Sequence, residues 1–269
     1  MISNIDYCYA ADGARLGYQC VGDGKGPPLL LIAGLAGEAK FWRPVMDDLA
    51  SRHSVIVFDQ RGFGVSGTTD SICTIDLLAA DALAIMDAAG VEQAIVAGHS
   101  TGGAIAQSLA LDHPSRVSRL VLSSTWAKAD AYMKYLFALR SNVMRAGGKR
   151  LYADLTRVIG YPLAWLREHP ERLALSDNDV DIEVDDRVFT RIEALLEFDR
   201  TAALATIQQP TLVLGARDDQ IIPNYLHVEL QEAIPGATAR FCAEGGHFFP
   251  SIRPKTFVEP LRDWLEQQA

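Results

Sequence analysis

The chain has 269 residues, 49% of them hydrophobic and 22% charged, with a formal net charge of −9. That length can bury a full α/β core, and the acidic balance, with no long lysine or arginine run, sets aside nucleic acid and anionic membranes as partners. Cys8, Cys20, Cys73 and Cys242 stand far apart with no C-x-x-C spacing, which sets aside a zinc site and a disulfide framework.

The opening MISNIDYCYAADG lacks the basic start and long apolar core of a signal peptide, and no apolar run approaches the roughly 18 residues of a membrane span. A cytoplasmic chain is the expectation. In chain order, two strand-like runs flank Asp12-Gly13, a dipeptide suited to a hairpin turn. After Pro27-Pro28 the pattern changes to short runs rich in Val, Ile and Leu: LLLIAG, SVIVFD, QAIVAG, RLVLSS and TLVLGA. Runs too brief for helices and apolar throughout predict strands covered on both faces.

Helical patterns lie between them. Ile75, Leu78, Ala79, Ala82, Met86 and Ala89 make one apolar stripe, with Thr74 as start signal and Gly90 as stop. The alternation predicts an α/β fold with a mostly parallel sheet and helices on both faces. It breaks once, over 129–205, where helical stretches such as AYMKYLFALRSNVMRAGG and DRVFTRIEALLEFDR replace strands. This span is expected to form a helical cap on a core made of 1–128 and 206–269. A helix near 225–233, the strand TARFCAE and a last helix FVEPLRDWLEQ resume the scheme.

The stretch IVAGHSTGG sets Ser100 between glycines where a buried strand hands over to a helix. A sharp strand-to-helix turn strains its central residue and crowds the positions two either side, which suits Gly98 and Gly102. Ser100 would stand at the apex, with the Thr101 N–H free at the helix start to receive an oxyanion. The plainer alternative is a serine N-cap in an ordinary turn. A serine nucleophile needs a base and an orienting carboxylate. His247, in EGGHFF between a late strand and the last helix, is the candidate base; His99 is expected to turn inward and pack. Asp218 and Asp219 end the strand TLVLGA at the edge where open α/β sheets place ligands.

The order Ser, Asp, His resembles that of the α/β-hydrolase superfamily, and the resemblance spans essentially the whole chain. IAGLAG is similar to the family's oxyanion loop, DQRGFGVSG to its D-x-R-G-x-G segment, GHSTGG to its elbow and GGH to its histidine loop. Ala33-Gly34 replaces the usual His-Gly pair and leaves the Leu35 N–H as the second oxyanion donor. The family acid lies four residues before a proline, which selects Asp219, with Pro223, over Asp218. The resemblance implies a catalytic serine hydrolase with Ser100, His247 and Asp219, an oxyanion hole of Leu35 and Thr101 N–H groups, and no cofactor.

The G-x-G-x-x-G match over 62–67 is followed by TTDSIC rather than a helix, so it makes no dinucleotide site. No metal-binding motif is present. Finer likeness in LVLSSTWAKADAY, YPLAW and GGHFFP points to the aminoacrylate hydrolase and 3-oxoadipate enol-lactonase group, implying a small substrate, with carboxylate-bearing compounds among the candidates. Trp126 and Trp165 are candidate pocket walls, against the plainer reading of cap core. Carbon–carbon hydrolysis of a dienoate, perhydrolysis, and a receptor of slow turnover stay open, as does a homodimer.

Overall fold

A computed structural model describes residues 4–22, 25–35, 37–173 and 187–268 of the chain. The hairpin expected around Asp12-Gly13 is present: β1 (Asp6–Tyr9) pairs antiparallel with β2 (Arg15–Val21). There follow β3 (Gly26–Ile32), α1 (Arg43–Ala50), β4 (His53–Phe58), α2 (Ile75–Ala88), β5 (Ala94–His99), α3 (Thr101–Asp112) and β6 (Val117–Ser123). Among the described residues the sheet has eight strands, counting β7 (Thr211–Ala216) and β8 (Thr238–Cys242), which come after the helical run. Their order is β1-β2-β4-β3-β5-β6-β7-β8, with all pairs from β4 to β8 parallel.

The two-residue period of the strands divides the core. Leu30 and Ile32 of β3 and Val96 of β5 face one apolar cluster, while Leu29, Leu31, Ile95 and Ala97 face the other. The first cluster is closed by α2 and α3. The second is closed by Trp42, Val45 and Leu49 from and beside α1, and by Phe257, Leu261 and Trp264, which share one stripe. The stripe read over 75–89 forms α2, where Thr74 Oγ1 accepts the Leu77 N–H at 3.0 Å and caps the helix.

Between β6 and β7 the chain leaves the sheet for α4 (Ala131–Gly160), α5 (Leu163–Glu168) and α6 (Arg187–Glu197). A single antiparallel bridge joins Lys128 to Asp199 across the base of this excursion. Helix α4 is broken at Gly148, whose φ of 66° and ψ of −169° are not helical. The expected cap, 129–205, contains residues 174–186, which lie outside the described residues. The chain then completes α7 (Asn224–Ala233), β8, α8 (Phe249–Ile252) and α9 (Lys255–Gln267).

The strand order places the site. From β3 the chain moves outward to β4, then returns to β5 on the opposite flank of β3. The loops after β3 and β5 therefore diverge at a topological switch point, where an open α/β sheet leaves a crevice at its carboxyl edge.

Candidate active site

Ser100 occupies the turn between β5 and α3 with φ of 55° and ψ of −122°, a conformation L-residues rarely adopt. The surroundings hold it there. Its N–H donates to the Ser123 carbonyl at 2.8 Å, and its carbonyl accepts from the Gly103 N–H and from Thr125 Oγ1, each at 2.8 Å. The glycines permit the turn by their lack of bulk. A Cβ on Gly98 would stand 2.0 Å from the Gly102 carbonyl oxygen, and one on Gly102 would stand 2.2 Å from that of Ile32.

Opposite the serine lies the loop after β3. A Cβ built on Gly34 would be 3.6 Å from Ser100 Oγ, so this backbone runs directly beside the hydroxyl. Among the described residues, neither the Leu35 N–H nor the Thr101 N–H donates to a protein acceptor. Thr101 is the first residue of α3, where an unpaired N–H and the positive end of the helix coincide.

His247 and Asp219 meet at 2.8 Å, Nδ1 to Oδ2, in a buried setting. The remaining oxygen, Asp219 Oδ1, accepts the N–H groups of Ile221 and Ile222 at 2.9 Å each, so the carboxylate is held from both sides. Burial works to raise the Asp219 pKa, but the His247 charge and hydrogen bond, the His227 charge and the Ile222 N–H outweigh it and hold it below the ordinary value. An ionised carboxylate only accepts, so it is a protonated Nδ1 of His247 that faces Asp219. Asp218 points elsewhere: its Oδ1 accepts the N–H groups of Gly245 and Gly246, at 2.9 Å each, and braces the loop before His247. Asp130 is occupied as the N-cap of α4 and as acceptor of the Tyr225 hydroxyl.

Ser100 Oγ makes no hydrogen bond to His247 among the described residues. Such contacts commonly close only when substrate is bound. His99 is 1% exposed, stacks on Phe41 with ring centroids 4.8 Å apart, and holds Ser123 Oγ at 3.0 Å, which is the packing role expected of it. Burial, then the charges of His247 and His227, push its pKa well below the ordinary histidine range.

The end of α4 reaches the site: the Gly160 carbonyl accepts the His247 N–H at 2.9 Å. From there Phe248, Tyr161, Trp165 and His169 form a row of rings, with centroids 5.1, 5.1 and 4.3 Å apart in turn. Trp165 is half-buried in that row. Trp126 is not comparable: it is 0% exposed, lies in the core with Met133 and Phe137, and presents no surface to a ligand.

The first two residues of the DQRGFGVSG segment also converge here. Asp59 Oδ1 accepts the Ala39 N–H at 2.8 Å, and the Gln60 side chain donates to the Ala33 carbonyl at 2.8 Å. The available signal was position: polar residues directly after a buried strand. Among the described residues no group of three or more His, Cys, Asp or Glu side chains converges as a metal site.

A strained serine at a strand-to-helix turn, beside two free N–H groups and a buried histidine–carboxylate pair, marks a hydrolase built on a parallel sheet. The chain belongs to the alpha/beta hydrolase fold family, whose model matches residues 27–254. The protein named "Putative carbamate hydrolase RutD" of Azorhizobium caulinodans is 38% identical over 259 residues, covering 96% of this chain and 97% of its own. Its namesake in Variovorax paradoxus is 35% identical, covering 93% and 96%. Among solved structures, the enol-lactonase from Burkholderia xenovorans LB400 superposes with a TM-score of 0.87 at 26% identity, covering 97% of this chain and all of its own. No helix among the described residues is long and apolar enough to cross a membrane.

Proposed function

We propose that the protein is a cofactor-independent serine hydrolase that attacks a small ester, lactone or related acyl or enamine acid through Ser100, His247 and Asp219. The observation that carries this reading is the buried 2.8 Å contact of His247 Nδ1 with Asp219 Oδ2, on the same sheet edge as the strained Ser100. Asp219 keeps the imidazole proton on Nδ1 and offers negative charge to the imidazolium. Nε2 takes the proton of Ser100 Oγ as that oxygen adds to the substrate carbonyl carbon. The Leu35 and Thr101 N–H groups receive the oxyanion, and the imidazolium returns the proton to the leaving group. An acyl-enzyme remains, which water activated by the same histidine hydrolyses.

Helices α4 to α6 serve in this reading as a cap over the sheet edge, within 129–205, with Trp165 rather than Trp126 at the approach to His247. The enol-lactonase neighbour supports small cyclic esters as substrates, and the relatives' name adds carbamates, whose carbonyl carbon is open to the same attack.

The test is a turnover screen over enol-lactones, aryl esters, carbamates, aminoacrylate-type compounds and dienoic diketones, with Ser100→Ala as blank. The substitution is expected to cut the catalysed rate by about 10⁴ to 10⁶, and a sulfonyl fluoride is expected to label Ser100. Retained activity, or an adduct mapped elsewhere, would sink the assignment. Binding without turnover on every compound would favour a receptor instead.

A further inference from the structure

We infer that Gln60 and Arg191 are positioning residues for the oxyanion loop: together they fix the backbone that presents the Leu35 N–H to Ser100, and tie it to helix α6. The inference rests on the serine-hydrolase reading above.

Gln60 follows β4 by two residues and is 2% exposed, so each of its polar groups must find a partner inside the protein. Its Nε2 donates to the Ala33 carbonyl at 2.8 Å, and its backbone N–H donates to the Gly37 carbonyl, also at 2.8 Å. The Gly37 N–H in turn donates to the Gly34 carbonyl at 2.9 Å, closing a turn that contains Leu35. One residue therefore grips the turn before its start and at its end. Contact is close enough to exclude any side chain at Gly37, where φ is +62° and a Cβ would sit 2.8 Å from that of Gln60.

The outer half of the brace comes from α6. Arg191 is 2% exposed; its Nη1 donates to Gln60 Oε1 at 2.9 Å, and its Nη2 donates to the Arg61 carbonyl at 2.8 Å. A guanidinium only donates and a carbonyl only accepts, so the orientation of the Gln60 amide is fixed from both sides. Phe63 covers the guanidinium, its centroid 5.4 Å away, and among the described residues no carboxylate pairs with it. Burying a cation without a directly paired anion is costly, and an apolar side chain of similar length would fill the space at less cost. What the cation supplies and an apolar chain cannot is a rigid two-point fork, which locks the glutamine that locks the loop.

The experiment uses two variants with an activated aryl ester. Gln60→Glu keeps the shape and strengthens the bond to Arg191, but it cannot donate to Ala33 and sets two oxygens face to face. It is expected to fold with a melting temperature lowered by roughly 5 °C, from the unpaired buried oxygens, and to lose about 10- to 100-fold in kcat below that melting range, with KM within about 3-fold and phosphonylation of Ser100 slowed in step. Arg191→Met leaves Gln60 in place and is expected to lose about 3- to 10-fold in kcat. A folded Gln60→Glu with wild-type kcat overturns the inference, as does a rise in KM alone, which would assign the pair to substrate binding. If neither variant folds, the pair belongs to folding and the inference falls. Activity retained in Ser100→Ala would remove the serine-hydrolase reading itself, whereas an inactive Ser100→Ala beside a wild-type Gln60→Glu would remove only the brace.

Discussion

At the carboxyl edge of the sheet, some of the buried polar groups are held by main-chain N–H groups close by in the chain. Asp219 accepts the N–H groups of Ile221 and Ile222, and the carbonyl of Ser100 accepts the Gly103 N–H. In the helices between β6 and β7 the pattern is different. Arg140 lies 4.9 Å from the centroids of both Phe137 and Tyr152 and makes a long bond, at 3.3 Å, to Thr156, while among the described residues its Nε and the Tyr152 hydroxyl have no partner. Backbone partners cannot be mutated away; side-chain partners drawn from one half of α4 to the other can. The first region is thus suited to chemistry that must not drift, the second to a surface that can be altered.

The sharpest way to break this contrast is at the doubled aspartate. Asp219→Asn is expected to lower kcat by up to about 10⁴, because an amide donating to Nδ1 imposes the wrong tautomer. The loss should be the same for every substrate. Asp218→Asn keeps an oxygen for the Gly245 and Gly246 N–H groups and is expected to cost less than about 10-fold. Measured kcat for both variants, each first shown to be folded, decides the matter. Equal severe losses would mean that the loop brace is as demanding as the tautomer.

The difference between the regions also explains what the sequence disclosed. The elbow was legible because collisions of backbone with backbone leave glycine alone at Gly98 and Gly102, whatever surrounds them. Strands and α2 were legible from period alone, since burial on two faces or one writes directly into the pattern. The spacing to Pro223 favoured Asp219, and it is Asp219, not Asp218, that His247 meets. Arg191 and Gln60 left no such mark, because their contact joins distant segments through side chains and has no period. Trp126 was a candidate pocket wall against the plainer reading of core, and only burial separates those. The break in α4 falls at Gly148 of the Gly147-Gly148 pair, and the chain resumes the helix beyond it.

A second contrast concerns stability at the rear of the sheet edge. His227 of α7 is 0% exposed and packs on Gly215, and among the described residues neither ring nitrogen has a hydrogen-bond partner. Burial, only partly offset by the Asp219 charge, pushes its pKa down to about 4. The unfolded chain, with an ordinary histidine value near 6.5, therefore binds the extra proton between about pH 6.5 and pH 4, and stability falls as pH falls through that window. One such group accounts for about 3 kcal/mol across it. His227→Leu is expected to flatten the dependence by about one proton in urea unfolding at pH 7, 6 and 5. His99, depressed in the same direction, should keep part of the slope. An unchanged slope would show that His227 finds a proton acceptor on folding.

The smallest expected effect tests the helical region directly. Trp165 stacks between Tyr161 and His169 in the aromatic row that begins beside His247. Removing the ring in Trp165→Ala deletes a flat apolar face from the row that leads to His247 while leaving the Gly160 carbonyl on the His247 N–H. If the helices choose the substrate and the sheet edge breaks the bond, the variant should shift relative kcat/KM between a lactone and an aryl ester by about 5- to 10-fold. That is the scale of a few lost apolar contacts, and labelling of Ser100 by a small sulfonyl fluoride should keep its rate. A uniform loss toward both substrates and the probe would mean that the ring supports the His247 loop through Tyr161 and Phe248. The boundary between a fixed edge and an alterable cap would then run beyond Trp165 rather than inside the aromatic row.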